Sequence, residues 1–115
     1  MKFLSSMLLV AGLLCSTTLL ANEPTGPIKI TSLINWIGTR NNPNEVVLVK
    51  TNQSQLTNPA NCSKTDVYYL DVASEISRSM LLTAFTAKIN VNLNIYSGGC
   101  SSDDRPLIIS ISLVE

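Results

Sequence analysis

The apolar residues of this chain change their spacing several times, and each change marks a boundary. From Phe3 to Leu20 there is no charge at all, and Met7-Leu8-Leu9-Val10 and Leu13-Leu14 form an unbroken apolar core. Beyond Pro24-Thr25-Gly26-Pro27, which reads as a short stiff leader, Ile28, Ile30, Ile34 and Trp36 recur on one face with the two-residue period of a strand. A turn rich in Gly, Asn and Pro follows over residues 38–44. Val46-Val47-Leu48-Val49 is apolar on both faces, as a central strand must be. Residues 51–65 are a long polar connection, and Val67 to Val72 forms a third strand with Tyr68 and Tyr69 facing opposite ways.

The period then switches to that of a helix. Ser74 can cap it and Glu75 suits its positive end, while Ser77 stands where a capping box would need Glu or Gln. The helix runs to Lys88 or Ile89, with Asn90 as a left-handed stop. Val91, Leu93 and Ile95 alternate with Asn92, Asn94 and Tyr96 in a half-buried strand that Ser97-Gly98-Gly99 ends. After the turn Asp103-Asp104-Arg105-Pro106, the residues Leu107, Ile109, Ile111 and Leu113 form the inward face of a last strand.

Three strands, one helix and two strands is the element order of the OB-fold, a five-stranded Greek-key barrel with its helix between strands three and four. The sequence therefore predicts a small β-barrel or α+β domain, OB-like in order, with a packed open sheet as the alternative. The helix carries a second message. Ile76, Met80, Ala84 and Ala87 share one face, while Leu81, Leu82, Phe85 and Ile89 spread over the other. A barrel covers one face only. Either the 51–65 connection folds back over the other, or a neighbouring subunit does; in the second case Leu81, Leu82, Phe85 and Ile89 form the oligomer interface.

The first segment changes where this domain is expected to work. Lys2, an uncharged apolar run and a small residue at its end make a secretory signal peptide over residues 1–21, cleaved after Ala21. The serines and threonines within the run and the missing basic flank argue against a membrane anchor. Leu14 before Cys15 is too large for a lipid-attachment site. Residues 22–115 then suffice for one domain and are too few for two.

Loss of the leader also removes Cys15, leaving Cys62 and Cys100. An even cysteine count in an exported chain reads as a disulfide. Closing that loop stabilises by roughly 3–4 kcal/mol in the chain-entropy model. With no histidine, two paired cysteines and no cofactor motif, neither a metal site nor a cofactor is expected.

Charge and residue chemistry exclude more than they assign. No Lys/Arg cluster exists to neutralise nucleic-acid phosphates or to hold a membrane surface, and no span is expected once the signal is gone. Nucleophile–base catalysis by Ser or Cys usually needs the imidazole this chain lacks. Asp66, Asp71, Glu75, Asp103 and Asp104 read as strand starts, a helix start and a solvated turn rather than as paired catalytic carboxylates. Binding without catalysis is the expectation. OB-folds bind on the face of strands two and three and through the loops after strands one and four. Here those places carry Trp36, Arg40, Asn41 and Asn42, then Asp103, with Tyr68 and Tyr96 as further aromatic candidates. Trp36 also shares a face with Ile30 and Ile34, which favours the core.

Several segments together resemble a family. Asn58-Pro59-Ala60-Asn61-Cys62, Val67-Tyr68-Tyr69-Leu70, Leu81-Leu82-Thr83-Ala84 in a helix, Val91 to Tyr96 and Gly99-Cys100, behind a signal peptide, resemble small exported bacterial proteins similar to the B subunit of subtilase cytotoxin. The resemblance implies an OB-fold, a link between Cys62 and Cys100, and a glycan-binding homo-oligomer. No segment matches that family's sugar-contacting residues, so none is carried over. A monomeric structural or inhibitory partner of another exported protein is the alternative.

Overall fold

The computed structural model describes residues 21–37, 45–71 and 74–114. The signal-peptide reading, apart from Ala21, and the 38–44 turn lie outside them, as do Arg40, Asn41 and Asn42. Among the described residues no helix is long and apolar enough to cross a membrane.

The fold is α+β: β1 (Glu23–Ile28), β2 (Ile30–Trp36), β3 (Val46–Thr51), β4 (Tyr68–Asp71), α1 (Glu75–Ala87), β5 (Asn90–Cys100) and β6 (Pro106–Val114). The strands form one mixed six-stranded sheet in the order β1-β5-β6-β4-β3-β2, not closed into a barrel. Only β4 and β6 pair in parallel; the other neighbours are antiparallel. Six strands replace the expected five because the first divides at Lys29. Ile28 pairs with Val91 on β5, whereas Ile30 pairs with Thr51 on β3. The two edge strands of the sheet are thus one residue apart in sequence, and its ends turn toward each other there.

The leader expected before β1 is strand. Prolines cannot donate to a ladder, which confines them to edges and bulges, and β1 is an edge with a register shift between Pro24 and Pro27. Gly26 occupies that irregularity with φ +74°, a left-handed conformation that glycine adopts without strain. Side chains repair the interrupted pairing: Gly26 N donates to Asn92 Oδ1 at 3.1 Å, and Leu93 N donates to Thr25 Oγ1 at 3.0 Å.

Bulges also reassign faces. Ile30 pairs with Thr51 but Ser32 with Lys50, so Thr31 is an extra residue on β2. Ile28 and Ile30 therefore point into the core with Leu33, while Ile34 and Trp36 are about half exposed. In β6 the extra residue is Ile109, between the pairs Asn94–Ser110 and Ile95–Ile108. Ile108 enters the core and Ile109, expected inward, is about half exposed at the bulge, while Ile111 and Leu113 keep the expected inward face opposite Leu93 and Val91. β5 does not end at Ser97 but continues through Gly98 and Gly99 to Cys100.

Helix α1 begins at Ser74, whose Oγ accepts from Ser77 N at 3.1 Å. Its left-handed stop is Lys88 (φ 57°), two residues before the expected Asn90. Lys29 Nζ donates to the Lys88 carbonyl at 2.9 Å, placing a cation at the negative end of the helix. The helix packs on β2 and β6 through Leu81 and Ala84, both 1% exposed. They close a core with Val47, Val49, Tyr68 and Leu70 on one side, and Val91, Leu93, Ile95 and Ile108 on the other.

Candidate functional site

In β3 the residues Val47 and Val49 turn inward, so Val46, Leu48 and Lys50 lie on the other face of the strand, where Val46 is itself buried. The register sets Trp36 beside Val46, Ile34 beside Leu48, and Leu48 beside Tyr69. In β4 the same alternation sends Tyr68 and Leu70 into the core and leaves Tyr69 outside. An apolar, aromatic floor thus forms on the outer face of β2–β3–β4.

One end of that floor is walled by the β5–β6 turn. Ser101 N donates to the Arg105 carbonyl at 2.8 Å and Asp104 N to the Ser101 carbonyl at 2.9 Å, with Asp104 left-handed at φ 66°. Ser101 Oγ accepts from Arg105 N at 2.9 Å and donates to Asp103 Oδ1. The turn is tied to the 52–67 segment at its base. Cys62 and Cys100 are disulfide-bonded with their Cα atoms 5.8 Å apart. Asp104 Oδ2 accepts from Ser63 N at 3.1 Å and from its hydroxyl, and Lys64 N donates to the Asp104 carbonyl at 3.0 Å.

Trp36, Leu48, Tyr69, Ser102, Asp103 and Arg105 surround a depression of about 310 Å³. Arg105 is held from two sides. Its Nη1 pairs with Asp103, its Nε donates to Asp66 Oδ1 at 3.2 Å, and its Nη2 donates to Asp66 Oδ2 at 3.5 Å. The side chain is 18% exposed, against 32% for Asp103 and 64% for Asp66. The hydrogen bond from Arg105 lowers the Asp66 pKa below its ordinary 3.8, with slight burial opposing it.

Of the residues singled out in the sequence, Trp36 and Asp103 meet here. Trp36 is not core; the bulge at Thr31 turned it outward. Tyr68 is not a ligand residue: it is fully buried, its hydroxyl donates to Gln53 Oε1 at 2.7 Å and accepts from Thr57 N at 2.8 Å, and burial raises its pKa above 10.0. Tyr96 is exposed but lies away from the depression, its ring over Gly98, where a Cβ would collide with it. Tyr69 and Arg105 are the contributors that periodicity did not select. The opposite facing of two adjacent tyrosines was legible, but only the pairing of β4 with β3 settles which one turns out.

The proposed interface set divides. Leu81 is core, not interface, because it points at the sheet. Leu82 and Phe85 are exposed, with Ile76, and Ile89 is half-buried. The 52–67 segment does not cover them. It folds toward the core through Leu56 and toward the turn through Cys62.

A second, polar depression of about 370 Å³ lies on the outer face of β5 and β6, lined by Asn22, Asn92, Asn94, Ser110 and Ser112. Cys62, Cys100 and Asp104 lie close enough together to suggest a metal centre, but both sulfurs are engaged in the disulfide and offer no thiolate. No family model matches the chain, and neither a curated protein nor a solved structure matches it.

Proposed function

We propose that this chain is an exported, non-enzymatic OB-like binding module that holds a glycan on the outer face of β2–β3–β4. The observation that carries the reading is the depression in which Trp36 and Tyr69 stand over an aliphatic floor beside Ser102, Asp103 and Arg105. Saccharides present apolar C–H faces and a rim of hydroxyls. Aromatic rings complement the former, and carboxylate, hydroxyl and guanidinium groups the latter.

The topology supports the OB-like part. Counted as one bent strand, β1 and β2 leave five strands with the helix between the third and fourth. The depression then lies on the outer face of strands one to three beside the turn after strand four, which overlaps the face where OB-folds take oligosaccharides. The disulfide supports export, since such bonds persist in oxidising compartments. The resemblance to toxin B subunits points the same way.

Trp36 is the only tryptophan, so its fluorescence reports on the site directly. A glycan array should give binders that shift Trp36 emission, and Trp36→Ala should weaken them about tenfold, the loss of one stacking contact. A blank array, or binding indifferent to Trp36, overturns the reading.

A second reading is favoured by the exposed apolar side chains of α1, Ile76, Leu82 and Phe85: association with another copy, or with another exported protein, through the helix. Light scattering across a concentration series tests self-association, and a strictly monomeric species at every concentration removes it.

A further inference from the structure

Arginine in a sugar site is ordinarily the receptor for an acidic group, because its planar fork matches a carboxylate. Arg105 is largely committed elsewhere. Its Nη1 is engaged by Asp103, and its Nε and Nη2 face Asp66. All three guanidinium nitrogens are turned to carboxylates of the chain itself, and the side chain is mostly buried. Arg105 therefore clamps the β5–β6 turn to the start of β4.

The consequence is a charge imbalance at the depression. Arg105 is the only cationic side chain lining it among the described residues, and two carboxylates share that one charge. Asp66 stands behind the guanidinium, outside the lining; Asp103 lines the depression itself, next to the two aromatic rings. On the same outer face Asp71, exposed, pairs with Val46 beside Trp36, while the exposed Lys50 lies beyond Leu48 toward Ser32. These groups together leave one negative charge in excess. The π faces of Trp36 and Tyr69 add their own preference for positive charge.

We infer that the site selects a cationic amino sugar over a neutral saccharide and discriminates against acidic ones: Asp103 receives the ammonium group, the rings of Trp36 and Tyr69 take the sugar faces, and Arg105, with three of its five N–H groups turned to the chain's own carboxylates, is a poor receptor for another. The inference rests on the proposed saccharide-binding reading and adds the charge of the ligand to it.

The test is Trp36 fluorescence titration of the full disulfide-bonded protein with a glucosamine oligosaccharide, its fully N-acetylated counterpart and sialyllactose. A mildly acidic pH keeps both the amine and the aspartates charged. The amine probe should bind about fivefold tighter than the acetylated one, the scale of one partly screened ion pair, and lose that margin at high salt. Sialyllactose should be weakest. Asp103→Asn should bring the affinities of the amine and acetylated probes together, whereas a merely structural loss would weaken both and keep their ratio. Asp66→Asn releases two guanidinium nitrogens and should improve sialyllactose binding several-fold, an arm independent of how well Asp103→Asn folds. Sialyllactose binding as tightly as the acetylated probe, or a margin that survives Asp103→Asn, overturns the inference while leaving saccharide binding intact. No binding by any of the three, with a blank array, overturns both.

Discussion

The buried hydroxyl of Tyr68 donates to Gln53 Oε1 at 2.7 Å, and through it a core residue of β4 holds the long 52–67 segment in place. The same oxygen accepts from Thr57 N at 2.8 Å. Tyr68→Phe keeps the ring and removes both bonds, leaving a part-buried backbone N–H without a partner. Urea unfolding should show a loss of about 1–2 kcal/mol.

Tyr68 also fixes an alkaline limit. Burial raises its pKa above 10.0, so the folded state favours the neutral phenol. Its contribution is complete below pH 10 and is lost as pH rises through the folded-state value. Thermal melts of the wild type should fall more steeply above pH 10 than those of Tyr68→Phe. Equal slopes would mean that the phenol is not the group responsible.

The disulfide closes a 38-residue separation. Replacing both Cys62 and Cys100 by Ala should cost about 3–4 kcal/mol. Hydrogen exchange should quicken first in residues 52–67 and in the β5–β6 turn, which the bond joins. Uniform quickening across the sheet would show that the bond supports the whole domain rather than these two segments.

Adjacent leucines of α1 should behave oppositely. Leu81 is buried against the sheet and Leu82 is 59% exposed. Leu81→Ala should destabilise by about 2–5 kcal/mol, the range for a core truncation. Leu82→Ser should stay within about 0.5 kcal/mol, as for other surface changes. Comparable losses at both would mean that Leu82 is covered in solution.

Asp66 sets an acid-side effect. Its pKa is lowered, chiefly by the hydrogen bond from Arg105, so the ionised form belongs to the folded state. The stability it adds is present above pH 3.8 and is lost as pH falls through the lower folded-state value. Because Asp66 is largely exposed, solvent screening limits Asp66→Asn to about 0.5 kcal/mol at neutral pH. The difference from wild type should shrink toward zero in strong acid.

The helix over Glu75–Ala87, the interior position of β3 and the cysteine pairing follow from the sequence by itself. Each rests on local spacing, on composition or on an even count of one residue type. The facing of Ile34, Trp36 and Ile109 does not. A bulge inserts one unpaired residue and reverses every side chain beyond it, and nothing in the apolar alternation of Ile28 to Trp36 or Leu107 to Leu113 marks Thr31 or Ile109 as that residue. The Pro-rich leader became a strand only because Asn92 and Thr25 supplied bonds that its backbone could not. The depression is more distant still from the linear pattern. Trp36, Tyr69, Asp103 and Arg105 come from three parts of the chain and meet only through the β2–β3–β4 ladder and the ties of the β5–β6 turn to Cys62, Ser63, Lys64 and Asp66. Local periodicity determines what kind of element each segment forms; long-range pairing, which sequence spacing does not encode, decided which side chains share a surface.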